Sequence, residues 1–500
     1  MEKRASYLVA IDQSTQATKA LLIDSSGRPI RRVSLAHEQI YPGAGLVEHD
    51  PLEVLANVRK AIVQLVGESG VPVSSLTALC ITNQRETIVA WDRASGQPVH
   101  NALVWQDCRG AELCSRLAAE GHEKAIRQKT GLKLDPYFSA SKLAWIARES
   151  PEARDALASG NLMAGTMDSW LVWNLTARKV FATDYSNASR TMLFDIHALR
   201  WDEELLALFG LNGILMPEAR SSDATFGEAA FPEFALALPI ASVMGDSHAA
   251  LFGHCGWKLG DAKATYGTGS SIMSNIGLAP ASPGEGLVLS LAWGFQGKAS
   301  YVLEGNIHAT GYTMRWLRDN LALFSSYEEA ERLAVEAGGN GGVYLVPAFS
   351  GLGAPYWKQG VRALVTGLSH GSDRRHIIRA GLESIAFQVR DLVAEMDERA
   401  ASPLAALHVD GGPTRNAFLM QFQADLLGKP VIVPAVEELS AIGVAYMGGI
   451  AQGVWVDQAE VGSLPREERR YEPRMGSRER TTLVGEWRSA LVQAISRAID

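Results

Sequence analysis

The stretch YLVAIDQSTQATKALLI at residues 7–23 decides the architecture. An apolar run, a polar turn of small hydroxyl-bearing residues and a second apolar run read as strand, tight turn, strand. The layout returns at residues 263–277, KATYGTGSSIMSNIG, with Gly267, Thr268, Gly269 and Ser270 in the turn. Each half of the chain thus carries a similar hairpin. A third glycine turn, in LHVDGGPTRN at 407–416, follows an apolar segment and precedes FLMQFQADLL, whose apolar spacing fits a helix. Ile378, Leu382, Ile385 and Val389 fall on one helical face, and AIGVAYMGGIAQGV at 441–454 reads as a small-residue helix able to pack closely. Strands alternate with helices in both halves, which predicts an α/β fold. Patterning is weakest at 212–236, just before the apolar PIASVMGD at 239–246, so the expected division gives domains 1–253 and 254–500.

Composition narrows the function. A chain of 500 residues exceeds what one hydrophobic core organises, so two domains are expected. With 47% apolar and 20% charged residues it is an ordinary globular mix, and disorder is excluded as its dominant state. The net charge of -8 argues against a nucleic-acid partner, because phosphate backbones are bound by basic surfaces. Cys80, Cys108, Cys114 and Cys255 form no C-x-x-C pair, which points to reduced thiols in a cytoplasmic protein. The N-terminal apolar run LVAI is too short for a signal core, and no run is long enough for a membrane span.

Short Gly, Ser and Thr turns after strands let several backbone N–H groups converge on an anionic oxygen. Three such turns in one chain point to phosphate, and the absence of G-x-x-x-x-G-K-[ST] and G-x-G-x-x-G removes the P-loop and the Rossmann site. Asp12, at a strand end inside the first turn, either caps that turn or orients Mg²⁺ through water. Asp246 ends an apolar run and begins the helical SHAALFG. It either caps the helix or, exposed at a cleft, accepts a proton from a substrate hydroxyl attacking phosphorus. His248 is the rival base. Arg85 and Glu86, adjacent in ITNQRETIVAW, offer a donor fork beside an acceptor pair, which suits a polyhydroxyl ligand. Trp105 and Tyr137 offer flat walls for a carbon backbone.

These segments resemble the FGGY family of carbohydrate kinases, and within it the branch that phosphorylates glycerol. The likeness runs through AIDQST (10–15), ITNQRET (81–87), VWQDCR (104–109), DPYFSASKLAW (135–145), TDYSNASRTMLFDI (183–196), YGTGS (266–270), PAFSGLGAPYW (347–357) and VDGG (409–412). The resemblance implies two ribonuclease-H-like, actin-like ATPase domains with the active site in the cleft between them. It implies ATP- and Mg²⁺-dependent phosphorylation of a terminal hydroxyl of a small polyol, glycerol first. It implies Asp246 as catalytic base, and Arg85, Glu86, Trp105 and Tyr137, with Ser247 and Ser271, at the polyol. It also implies Thr15, Gln16, Lys19, Thr268, Gly311, Arg315, Gly412 and Asn416 at the nucleotide, Asp12 at the metal, and a homo-oligomer, dimer or tetramer.

Two departures bear on the substrate. Ser247 stands where the family usually has Gln, and Ser271 where it has Phe, which leaves room and new hydroxyls for a longer polyol such as erythritol or threitol. A ketopentose is a further alternative within the family. Ser14, Gln16, Ala17 and Lys19 also replace the family's usual residues in the first turn. An actin-like nucleotide switch shares the fold without the chemistry, and the set Arg85, Glu86, Trp105 and Tyr137 argues against it.

Overall fold

A computed structural model describes residues 6–498 and builds them around two large β-sheets. The first contains β1 (Tyr7–Gln13), β2 (Ala17–Asp24), β3 (Pro29–Ala36), β4 (Leu76–Asn83), β5 (Glu228–Phe231) and β6 (Leu236–Gly245), in the order β5-β6-β4-β1-β2-β3. β1, β2 and β3 form an antiparallel meander, while β4 and β6 run parallel to β1. The second contains β7 (Ala262–Tyr266), β8 (Ser270–Gly277), β9 (Val288–Phe295), β10 (Lys298–Ile307), β11 (Leu407–Asp410), β12 (Val431–Pro434) and β13 (Glu468–Tyr471). Its order, β9-β10-β8-β7-β11-β12-β13, repeats the first: an antiparallel meander from β7 through β8 to β10, with β11 and β12 parallel to β7. The duplicated hairpins are the β1–β2 and β7–β8 corners of this repeated unit.

The continuous apolar runs of β1 and β4 follow from burial on both faces. Val9, Ile11, Leu79 and Ile81 pack into one core with Val54, Val58, Ile62 and Leu65 of helix α1 (Pro51–Ser69). That helix is started by the Asp50 cap and Pro51, and stopped by left-handed Gly70. The alternate residues Leu8, Ala10, Ala78 and Cys80 face a second core. There they meet α2 (Asp246–Gly253) and helix α6 (Leu439–Ala451), which the second half of the sequence lends to the first sheet.

The small residues of α6 serve close approach, as their type suggests. A Cβ on Gly443 would lie 1.8 Å from the Ala249 carbonyl oxygen, and one on Gly253 would lie 2.4 Å from that of Leu439. The helix ends at Ala451 rather than running on to residue 454. The weakly patterned 212–236 stretch also differs from expectation, because Glu228–Phe231 pairs with β6 as an edge strand.

A small four-stranded sheet, ordered Glu48–His49, Ala102–Leu103, Ile88–Asp92 and Leu162–Thr166, adjoins the first large sheet. Among the described residues no helix is long and apolar enough to cross a membrane. The four cysteines are free, Cys108 exposed and the other three buried or half-buried.

Candidate active site

Strand register assembles the site. Gln13, Asn83 and Gly245 lie side by side at the carboxyl ends of β1, β4 and β6. This brings together Asp12, one residue before the first end, Arg85 and Glu86, just past the second, and Asp246, just past the third. Carboxyl ends of parallel strands are where open α/β sheets present their chemistry. Asp246 opens α2, its side chain 35% exposed, with Oδ1 accepting from the Ser247 backbone N–H at 2.6 Å and lying 3.3 Å from Arg85 Nε. His248 is fully buried, far from the exposure a base needs, and burial holds its pKa well below the usual value.

Arg85 itself is buried, and its fork is gripped from the other sheet. Nη1 and Nη2 donate to Glu304 Oε2 and Oε1, both at 3.0 Å. Glu304 lies on β10, is fully buried, and also pairs with Arg190 Nη1 at 2.7 Å. Arg190 Nε in turn donates to Glu86 Oε1 at 2.5 Å. The result is a buried quartet of two guanidiniums and two carboxylates whose charges cancel, the condition under which buried charges persist. Burial opposes the charge on Arg85, but Glu304, Glu86 and Asp246 more than offset it and keep it cationic. Burial likewise pushes the Glu304 carboxyl up, yet Arg190 and Arg85 hold it well below the usual carboxylate range. Glu86 adopts φ 61°, a left-handed conformation that a non-glycine residue takes only when its surroundings enforce it.

Trp105 and Tyr137 meet edge to face, with ring centroids 5.6 Å apart. Trp105 Nε1 donates to Thr15 Oγ1 at 3.0 Å, which ties this wall to the first turn. Burial pushes the Tyr137 phenol far up, so it stays a hydrogen-bond donor. Lys142, fully buried, secures the Tyr137 backbone by donating to the carbonyls of Pro136, Tyr137 and Phe138 at 2.7, 2.6 and 3.0 Å.

Ser247 and Ser271 are both half-buried. The Ser271 hydroxyl, expected to face a substrate, donates instead to Glu304 Oε1 at 3.2 Å. Its position in β8 beside β10 brings that carboxylate within reach.

Asp12 is buried and paired across the β1–β2 ladder with Lys19, whose ammonium lies 3.6 Å away. Burial raises the Asp12 pKa to about 6, with Lys19 opposing and Asp246 adding to the shift. Two carboxylates close enough to repel suit a hard divalent cation, yet among the described residues no cluster of three or more His, Cys, Asp or Glu is arranged to hold a metal. That donor set fits Mg²⁺, which keeps most of its waters, and not a cation needing a full protein cage. Lys19 therefore faces Asp12, while the Gln16 side chain is exposed.

The other turns gather at the carboxyl end of the second sheet, where Thr265 of β7 lies beside Asp410 of β11. Thr268 sits at the tip of one turn, and its carbonyl accepts from the N–H groups of Thr310 and Tyr312, both at 3.0 Å. Gly311 begins helix α3 (Gly311–Asp319), and α4 (Arg374–Arg399) buries the face of Ile378, Leu382, Ile385 and Val389. Gly411, at φ 96°, packs against the Tyr266 carbonyl, whereas a Cβ on Gly412 would meet nothing within 4 Å and so faces open space. Arg315 stacks over the Tyr312 ring at 5.2 Å. Asn416 caps helix α5 (Ala417–Leu427), its side-chain oxygen accepting from the Leu419 N–H.

Sequence reasoning missed Arg190 and Glu304. The signal was present in YVLEGNI (301–307), where a lone acid interrupts an apolar strand and therefore requires a buried cationic partner.

Residues 7–253 match the N-terminal domain, and residues 262–452 the C-terminal domain, of the FGGY family of carbohydrate kinases. The chain is 47% identical to glycerol kinase 1 of Thermotoga maritima, over 97% of this chain and 99% of that protein. It is 46% identical to a glycerol kinase of Symbiobacterium thermophilum, over 98% of each. Among solved structures, a Plasmodium falciparum glycerol kinase with ADP superposes with a TM-score of 0.93 at 33% identity, covering 98% of both chains. The repeated sheet order, the clustered carboxylates and these similarities agree: the chain belongs to the FGGY family of carbohydrate kinases.

Proposed function

We propose that the protein transfers the γ-phosphoryl group of ATP to a terminal hydroxyl of glycerol. The observation that carries this reading is the Asp246 carboxylate, partly exposed at the carboxyl end of β6 and 3.3 Å from an arginine that is itself locked by Glu304. Asp246 takes the proton of the attacking hydroxyl. Arg85 Nε and the Tyr137 phenol donate to the polyol's oxygens, Glu86 accepts, and Trp105 covers the carbon backbone. The γ-phosphoryl group is received between the turns at Thr15 and Thr268, with Gly311, Gly412 and Asn416 beside the nucleotide. Gln16, Lys19 and Arg315 flank it. Asp12 would hold Mg²⁺, which when bound neutralises charge on the transferring phosphoryl group. Positioning and electrostatics supply most of the rate, as in phosphoryl transfer generally.

This reading divides the chain at residue 253, between α2 and the second sheet. The relatives named glycerol kinase support glycerol over a longer polyol. The test is ADP release across glycerol, erythritol, threitol, xylitol and ketopentoses, in the full chain and in Asp246→Asn. Glycerol should give the highest kcat/KM, and the variant should lose roughly 10²- to 10⁴-fold in kcat. A variant turning over glycerol at a near-normal rate would move the base elsewhere, and ADP release indifferent to every polyol would favour a nucleotide switch.

A further inference from the structure

We propose that Glu304 is a positioning residue for the polyol grip. From the second sheet it sets the angle at which Arg85 of the first sheet meets substrate, so polyol affinity depends on how the two halves are docked. This rests on the reading of Arg85 as a polyol ligand.

Arg85 has few anchors in its own half. The Glu86 carboxylate is engaged by Arg190, and Asp246 lies at 3.3 Å with its side chain partly in solvent. Both Nη atoms are instead held by Glu304, in the planar fork-to-carboxylate geometry that fixes a guanidinium in rotation as well as position. Once the Nη pair is fixed, the direction of Nε is fixed too, and Nε is the edge turned toward Asp246. Glu304 is itself over-determined, accepting from Arg85 twice and from Ser271 at 3.2 Å while pairing with Arg190 at 2.7 Å. A carboxylate so held, with no exposed surface, has no slack to follow a moving arginine.

The strand that carries Glu304 also abuts the second phosphate turn. β10 ends at Ile307, paired with Ser270, and a Cβ on Gly269 would lie 2.4 Å from the Ile307 carbonyl oxygen. Only Gly305 and Asn306 therefore separate the anchor of the polyol arginine from the backbone that buttresses the turn at Thr268. A displacement of the whole strand would move both together, whereas a change confined to the Glu304 carboxylate leaves the backbone beside the turn in place.

The experiment measures kcat and the separate KM values for glycerol and ATP in the full chain and in Glu304→Gln, Glu304→Asp and Arg85→Gln. Glu304→Gln is expected to raise the glycerol KM on the order of 10- to 100-fold with the ATP KM within about threefold, because a misdirected donor costs about as much as a 1 Å misplacement. Glu304→Asp keeps the charge at a shorter reach and should fall between the two. It also supplies the measurement if the glutamine variant does not fold. A purely structural glutamate would lower the yield of active enzyme and leave the glycerol KM of the remainder unchanged. If both Glu304 variants keep the glycerol KM within twofold while Arg85→Gln raises it, this inference is wrong and the polyol reading stands. If Arg85→Gln also leaves it unchanged, the polyol reading falls, and this inference with it.

Discussion

The turn at Gln13–Ala17 and the turn at Gly267–Ser270 close equivalent strand pairs in the two sheets, yet they are held by different means. In the first, side chains add to the backbone bond from the Ser14 N–H to the Ala17 carbonyl at 2.9 Å. Ser14 Oγ donates to the Ala17 carbonyl at 2.8 Å, Trp105 Nε1 to Thr15 Oγ1 at 3.0 Å, and Gln39 Nε2 to the Thr15 carbonyl at 2.9 Å. In the second, backbone N–H groups do most of the holding: Gly267 to Gly269 at 2.8 Å, Gly311 to Gly267 and Tyr312 to Thr268, both at 3.0 Å. A turn fixed by side chains can be adjusted one contact at a time. A turn fixed by touching backbones has no such freedom, because glycine is what permits the contact. The first turn is tied through Trp105 to the polyol wall, and the second is tied to the start of α3.

The most severe break of this contrast is Gly269→Ala. The added Cβ would sit 2.4 Å from the Ile307 carbonyl and 3.1 Å from that of His308, so the turn must shift bodily. A displacement near 1 Å at a reacting phosphate costs on the order of 10²-fold. The expected result is a fall of about that size in kcat/KM for ATP, read by coupled ADP release. Glycerol binding measured without nucleotide should change far less. Activity close to wild type would show that the second turn is as adjustable as the first.

Acid sharpens the comparison next, since a histidine kept neutral by its surroundings stands behind each turn, fully buried His49 at the first and half-buried His408 at the second. His49 Nε2 donates to Gln39 Oε1 at 3.0 Å, and Gln39 holds Thr15. Burial, with a smaller contribution from neighbouring His37, lowers the His49 pKa to about 3. His408, on the strand leading into Gly411, is lowered to about 3 by burial, then by His254, Arg470 and Arg466. The unfolded chain protonates both near pH 6.5 while the folded chain does not, so each stability contribution is whole above that pH and is lost as pH falls toward 3. From pH 7.5 to 5.5 each histidine should cost about 1.4 kcal/mol. His49→Gln and His408→Gln should each lose that much less than wild type, measured by urea midpoints at the two pH values. Equal acid losses in all three proteins would show that neither site is kept neutral.

What was legible in the sequence follows the same division between local and distant contacts. Both hairpins are readable because the paired strands are neighbours in the chain, and Asp12, Arg85 and Asp246 are readable because each interrupts an apolar segment at its end. The parallel pairing of β1 with β4 and of β4 with β6 joins segments far apart in sequence, and nothing local specifies it; only the family resemblance implied it. The small residues of α6 announce close packing but not its partner, which proved to be α2 in the other half. The Glu304 partner of the Ser271 hydroxyl was illegible for the same reason: it lies on a strand whose pairing nothing local specifies. The lone acid in YVLEGNI announced that Glu304 needs a buried cation but not which one, because its partners Arg85 and Arg190 come from the other half of the chain.

The mildest test concerns the one bond that ties the first turn to the polyol wall. Trp105→Phe keeps an aromatic face against Tyr137 and removes the donor to Thr15 Oγ1 together with one of the two fused rings. A single neutral hydrogen bond is worth about 1 kcal/mol, or roughly fivefold, and the half-buried Thr15 hydroxyl can turn to water in its place. Because that bond spans the two subsites, the loss should divide between them, raising the KM for glycerol and the KM for ATP each by about two- to threefold with kcat nearly unchanged. Movement of the glycerol KM alone would mean that the side-chain scaffold of the first turn ends at the wall and does not reach the phosphate, leaving the second turn as the sole fixed point for the nucleotide.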